Sequence, residues 1–193
     1  TTLLKCLNKI LRPKGGTVHL DGNNLFDLGT MEIARLVGYV PQRVETGRLT
    51  AFDAVLLGRR PHIKWDVTVK DLQIVDSVFK LLSMEKLRLS YIDEMSGGEL
   101  QKVAIARSLV QEPKVLLLDE PTSSLDMKNQ VEILAIIRQI VLEHRIAAIM
   151  TMHDLNQALR YADRFIFMKG GKVHAQGGAE VITPKVIEEV YGL

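Results

Sequence analysis

At 193 residues the chain is long enough to bury a full core and amounts to about one domain. A formal net charge of +2, with no basic cluster interleaved with aromatics, excludes a nucleic-acid binder that works by charge and base stacking. No run approaches the roughly 18 uninterrupted apolar residues of a membrane span, and the single cysteine, Cys6, cannot close an internal disulfide, which points to a reducing compartment. Its apolar neighbours make Cys6 a core residue rather than a nucleophile.

The chain opens with a helical pattern in which Leu3, Leu4, Leu7, Ile10 and Leu11 form one apolar stripe. Gly15-Gly16 turns into the alternating strand Thr17 to Leu20, and Asp21-Gly22 supplies a hairpin turn. His19 alternates with Val18 and Leu20 and is expected to face solvent. Arg35 to Gln42 reads as a strand of the central sheet. From about Arg43 to Val110 the pattern is helical, with Leu72, Val75, Phe79 and Leu82 spaced for one buried face. Val115 to Leu118 and Ala147 to Met152 supply two further strands. A hairpin follows, Phe165 to Lys169 and Val173 to Gln176 around Gly170-Gly171, and a last helix runs near Pro184 to Tyr191.

Two strings carry chemistry. Val115 to Leu118 is a continuous apolar run, the pattern of a strand buried on both faces in a parallel sheet. It delivers Asp119 and Glu120 at its carboxyl end, where open α/β sheets bind ligands. Such a pair suits a magnesium ion and a water beside a phosphate, Asp119 holding the metal and Glu120 polarising the attacking water; the plainer reading is a polar end to a core strand. Upstream, Ser96, Gly97 and Gly98 precede a helix with Leu100, Val103, Ala104 and Leu109 on one face. That offers a hydroxyl and bare amides to a phosphate, or simply a serine N-cap followed by flexible glycines.

The pair resembles the signature and Walker B motifs of the ATP-binding cassette (ABC) family, in that family's order and spacing. Further strings match. Tyr39-Val40-Pro41-Gln42 resembles the Q-loop, whose glutamine reaches the metal and the attacking water. Ser124-Leu125-Asp126 resembles the D-loop, which touches the opposing subunit, and His153 stands where the family's switch histidine contacts the γ-phosphate. Taken alone, His153 would read as a strand-end residue capping the helix that begins near Leu155. Thr1 and Thr2 resemble the residues after the phosphate-loop lysine, with Thr1 as the magnesium-binding hydroxyl; on the pattern alone they are an ordinary helix start. The resemblance thus implies Glu120, His153 and Gln42 as catalytic, Thr1, Thr2, Ser96, Gly97, Gly98 and Asp126 as nucleotide-binding, and Thr1, Gln42 and Asp119 as metal-binding, with ATP and Mg2+ as cofactors.

The implied fold is α/β, the P-loop NTPase (RecA-like) kind, with a parallel-sheet core, a small antiparallel β layer and an inserted helical subdomain. Residues 1–193 form one ABC ATPase domain, with 1–42 and 111–193 as the nucleotide-binding core and 43–110 as the helical subdomain carrying the signature. The family's glycine-rich phosphate loop and its lysine are missing, so the natural protein is expected to extend further at its amino terminus. The chain as given is expected to bind nucleotide poorly and hydrolyse it hardly at all.

Leu49-Thr50 and Val55 to His62 resemble the ATPases of binding-protein-dependent importers for iron-siderophore, haem, cobalamin and related metal cargo. The implied partners are a second ATPase subunit, of the same kind, transmembrane permease subunits and, indirectly, a substrate-binding protein, with no nucleic acid, at the cytoplasmic face of the membrane. Trp65 and its basic neighbours become candidates for the permease contact, where a solvated connector is the plainer reading. Two alternatives remain: a soluble, non-transport cassette ATPase of DNA repair, translation or iron-sulfur assembly, and a non-hydrolysing fragment. The signature carries Met95 and Glu99 where the family more often has leucine and glutamine.

Overall fold

The computed structural model describes residues 1–44 and 47–192. Glu45 and Thr46, inside the span read as a helical subdomain, lie outside the described residues, as does Leu193. The chain divides into two compact units, Thr1–Met152 and His153–Leu193.

In the first unit the elements run α1 (Thr2–Leu7), β1 (His19–Leu20), β2 (Asn23–Asn24), α2 (Thr30–Leu36), β3 (Val37–Val40), α3 (Ala51–Leu56), α4 (Val69–Leu81), α5 (Gly97–Leu109), β4 (Val115–Leu118), α6 (Met127–His144) and β5 (Ala147–Met150). Helix α1 is shorter than the apolar stripe predicts, and Leu3, Ile10 and Leu11 are exposed while Leu4 is buried. Lys9 breaks the helix by adopting φ 60°, and its ammonium donates to the carbonyls of Phe26 and Leu28, both at 2.8 Å. The predicted hairpin forms, with Asp21 and Gly22 both at positive φ in its two-residue turn. Its ladder begins only at His19, which faces solvent as expected.

Strands β3, β4 and β5 form a parallel sheet in that order, with Val40, Leu118 and Met150 aligned across it. Side chains alternate along a strand, so β4 feeds two cores. Leu117 packs with Leu4, Leu25, Ile33 and Val37 on one face, and Leu116 and Leu118 join the larger cluster on the other. This explains why the β4 sequence is apolar at every position.

Between β3 and β4 the described residues form helices joined by turns and loops, with no strand apart from an isolated bridge between Thr50 and Tyr91. On α4, Val75, Phe79 and Leu82 are buried as predicted, but Leu72 is not. It lies in the first turn, where Asp71 turns inward instead. Asp71 closes a capping box with Thr68 and receives the Arg59 guanidinium at 2.9 Å. Arg59 is itself buried, and it donates to the Val110 carbonyl at the end of α5 at 2.6 Å and to Glu112 at 2.8 Å. One cation thereby ties the segment after α3 to the start of α4 and the end of α5. A β-carbon on the neighbouring Gly58 would lie 2.1 Å from the Arg107 carbonyl, so only glycine lets this segment approach α5 so closely.

In the second unit, α7 (Leu155–Tyr161) leads to the antiparallel pair β6 (Phe165–Lys169) and β7 (Lys172–Gly177), then α8 (Pro184–Tyr191). Gly170 and Gly171, at φ 56° and 75°, make the expected turn.

The Thr68 hydroxyl, outweighing burial and helped by the Thr68 amide and Arg59, holds the Asp71 carboxyl at about 2, against an ordinary 3.8. A carboxyl depressed on folding stabilises the fold above its unfolded pKa, and that contribution is lost as pH falls through the folded value. Asp71→Asn should therefore remove the part of acid destabilisation that falls between about pH 4 and about pH 2. Denaturant melts across that range should give a shallower pH slope for the variant, together with lower stability at neutral pH because Arg59 loses its buried partner.

Candidate functional site

The parallel ladder continues one step beyond the strand ends. The Asp119 amide donates to the Val40 carbonyl at 2.9 Å, and the Thr151 amide to the Leu118 carbonyl at 3.0 Å. These bonds fix Asp119 between the two flanking strands at the carboxyl edge of the sheet. Its carboxylate is only 1% exposed and is met from three directions. Oδ1 accepts from the hydroxyls of Thr1 at 3.0 Å and Thr151 at 3.1 Å, and Oδ2 accepts from the Tyr39 hydroxyl at 3.1 Å.

Burial pushes the Asp119 carboxyl up, but hydrogen bonds, first from the Thr1 hydroxyl and then from that of Thr151, help hold it below its ordinary range. The result is a buried carboxylate that stays ionised. Tyr39 responds in the opposite sense. Desolvation, the Asp119 charge and the hydrogen bond to it raise its phenol to about 12, so at neutral pH it keeps the proton it donates to Asp119.

Glu120 follows with a different backbone. Its φ is +48°, a left-handed conformation costing roughly 1–2 kcal/mol for a residue with a β-carbon, and Pro121 further disfavours helical geometry at this position. Two bonds hold the turn: the Glu120 amide donates to the Thr151 hydroxyl at 2.8 Å, and the Ser123 amide donates to the Glu120 carbonyl at 3.2 Å. The Glu120 carboxylate accepts the Gln42 side-chain amide at 2.7 Å. Thr1, Gln42, Asp119 and Glu120, separated by up to 119 positions in sequence, thus share one edge of the sheet. Thr2 opens α1 beside them and is exposed.

The signature residues sit elsewhere in the same unit. Ser96 caps α5: its hydroxyl donates to Glu99 at 2.6 Å, and its amide donates to the same carboxylate oxygen at 2.9 Å. In this arrangement the hydroxyl expected to meet phosphate is turned onto Glu99. The Ser96 bonds, first from its hydroxyl and then from its amide, keep the Glu99 carboxyl below its ordinary range. Gly97 is exposed and Gly98 buried. Asp126 caps α6, one oxygen accepting the Asn129 amide at 2.8 Å and the other the Asn129 side chain at 2.9 Å. The Asn129 side chain so held packs on Gly98, where a β-carbon would lie 2.8 Å from its oxygen.

His153 begins the second unit and is exposed. The cap of α7 is Asp154, whose carboxylate accepts the amides of Asn156 and Gln157.

A family model described as ABC transporter matches residues 1–123. The chain belongs to the ABC transporter family. An uncharacterised ABC transporter ATP-binding protein of Methanocaldococcus jannaschii is 57% identical over 193 residues, covering 100% of this chain and 76% of that protein. The ferric enterobactin transport ATP-binding protein of Escherichia coli K12 is 35% identical over 199 residues, covering 100% of this chain and 72% of that protein. Among solved structures, an inward-facing ABC transporter of metal-chelate type matches with a TM-score of 0.86 at 27% identity, over 100% of this chain and 73% of that one. The parallel sheet at whose edge these carboxylates stand is thus that of the P-loop NTPase cassette fold.

ABC ATPases bind ATP, typically with Mg2+, and the donors here fit that ion. Mg2+ takes hard oxygen ligands and keeps several waters, so it is held by one or two protein oxygens plus substrate phosphates. A buried, ionised Asp119 beside a threonine hydroxyl suits that mode. No group of three His, Cys, Asp or Glu among the described residues forms a closed cage.

Sequence reasoning missed Tyr39, Thr151 and Asn129 as neighbours of the site. Each lay within or beside a quoted motif, but only strand register and helix packing bring them to Asp119 and Gly98.

Gly98→Ala should destabilise the chain by about 1–3 kcal/mol through overpacking, since the two bonds to Asp126 prevent Asn129 from turning aside cheaply. A double-mutant cycle in urea checks this: Asn129→Ala should cancel most of the cost of Gly98→Ala.

Proposed function

We propose that this chain is the main part of the ATP-hydrolysing subunit of a binding-protein-dependent membrane importer, with a metal chelate of the iron-siderophore, haem or cobalamin kind as cargo. The observation that carries the reading is the Asp119-Glu120 pair at the end of β4, with Thr1 and Gln42 bonded to its two carboxylates. The likeness to a ferric enterobactin transport ATPase and to a metal-chelate type transporter supports the cargo class.

In this reading Asp119, Thr1 and Gln42 would hold Mg2+ with ATP, and the ion would supply charge neutralisation at the phosphates. Glu120 orients the attacking water and takes its proton, and Gln42 is placed to report the state of that carboxylate. Thr2 lies at the phosphate-facing start of α1. A second copy presents Ser96, Gly97, Gly98 and Asp126 to the same nucleotide, so the site is complete only between two subunits. The exposure of Ser96 and Gly97, and of Met127 beside Asp126, leaves these surfaces open for such pairing. Closure gathers contacts from both copies, and loss of the γ-phosphate releases them.

The permease contact falls on the segment after α3. Trp65 is 93% exposed and is preceded by Arg60, and aromatic and arginine residues are enriched at interfaces. Such a subunit works at the cytoplasmic face of the membrane.

Residues 1–193 alone should show no more than trace Mg2+-dependent ATP turnover, and robust turnover would remove the need for the phosphate loop. In the intact natural polypeptide, Glu120→Gln should retain ATP binding while kcat falls by about 10²-fold or more. Near-normal hydrolysis by that variant would exclude Glu120 as the base. Copurification with a permease separates the importer reading from a cassette without a membrane partner.

A further inference from the structure

We infer that Thr151 is a positioning residue for the carboxylate pair, its hydroxyl holding Glu120 in a left-handed backbone conformation while it hydrogen-bonds Asp119. The inference rests on the proposed roles of Asp119 and Glu120.

The direction of each bond follows from the groups involved. The Glu120 amide can only donate, so at 2.8 Å the Thr151 oxygen accepts. An ionised carboxylate can only accept, so at 3.1 Å Thr151 donates its one proton to Asp119. A single hydroxyl therefore links the backbone of one carboxylate residue to the side chain of the other. Its own position has little freedom. The backbone bond to Leu118 anchors it to β4, and β-branching restricts its χ1.

Glu120 needs such a restraint. Its φ of +48° is unfavourable for a residue with a β-carbon and more so before Pro121. Without the hydroxyl, the Glu120 amide loses its partner, leaving the turn to the Ser123 bond and the carboxylate to Gln42, and the left-handed backbone is expected to relax toward extended geometry and shift the carboxylate from the attacking position. Asp119 is held independently, by the Val40 carbonyl through its amide and by Tyr39 and Thr1 through its side chain. Removal of the Thr151 hydroxyl should therefore separate catalysis from nucleotide binding.

The test compares Thr151→Val, Thr151→Ser and Glu120→Gln in the intact natural polypeptide, by steady-state ATP hydrolysis with Mg2+, thermal melting, and a crystal structure of Thr151→Val. The expected result for Thr151→Val is a fall in kcat on the order of 10²-fold, the scale of an ångström-level misplacement, with KM for ATP within about 3-fold of the parent. Its Glu120 φ should become negative, and Thr151→Ser should recover most of the rate. The proposal is overturned if Thr151→Val keeps its kcat while Glu120→Gln loses turnover, if serine falls as far as valine, or if φ stays positive. It is likewise overturned if kcat, KM and thermal stability all collapse together, which would make Thr151 merely structural. Should Glu120→Gln itself retain turnover, the reading of the carboxylates fails and the inference falls with it.

Discussion

The parallel register that aligns Val40, Leu118 and Met150 is the constraint on which the site depends. Parallel strands end together on one side of a sheet, so the residues following them meet even though the chain travels through long crossovers between them. Here Asp119 follows the central strand, Thr151 follows one neighbour, and Tyr39 lies near the end of the other. A slip of one residue would reverse every side chain on the slipped strand. It would bury Asp119 against apolar residues or turn Tyr39 away from it.

Burial then gives the arrangement its chemical character. In water an aspartate needs no partners, but at 1% exposure an uncompensated charge would be costly. The three hydroxyls around Asp119 supply the compensation, and because each comes from a different element, they also immobilise it. The adjacent Glu120 has no comparable burial. Its backbone, rather than its carboxylate, is what the surroundings constrain, and this division leaves the side chain available to Gln42. Two neighbouring acidic residues thereby acquire different environments from one strand end.

The helical span is held to this frame by another buried group. Arg59 joins Asp71, the Val110 carbonyl and Glu112, so the loop bearing Trp65 leaves from a fixed point although its tryptophan lies in solvent. At the far end of α5, Gly98 packs against Asn129, which Asp126 orients. The signature and the D-loop are consequently one packed surface. In the proposed paired state, a displacement of either would be felt by the other without any intervening flexible segment.

Much of this was legible in the sequence, for identifiable reasons. The apolar run at Val115 to Leu118 can only be satisfied by burial on both faces, Asp21-Gly22 suits one kind of hairpin turn, and the order of the ABC motifs marked Asp119, Glu120 and Gln42, which the fold brings together, along with Ser96, which it places apart. Periodicity failed where a local polar bond competed with it. Lys9 ends α1 ahead of its apolar stripe, and Asp71 takes the inward place expected of Leu72 because Thr68 and Arg59 satisfy it there. The sequence by itself determined the family, the chemistry-bearing residue types and most element types, since these follow from pattern and spacing along the chain, although Arg35 and Leu36, read as strand, close helix α2 instead. Only the tertiary structure decided that Tyr39 and Thr151 clasp Asp119, that Glu120 is held left-handed, and that Asn129 requires Gly98. Those contacts depend on register between strands and on the closeness of two helices, distances that a linear pattern does not encode.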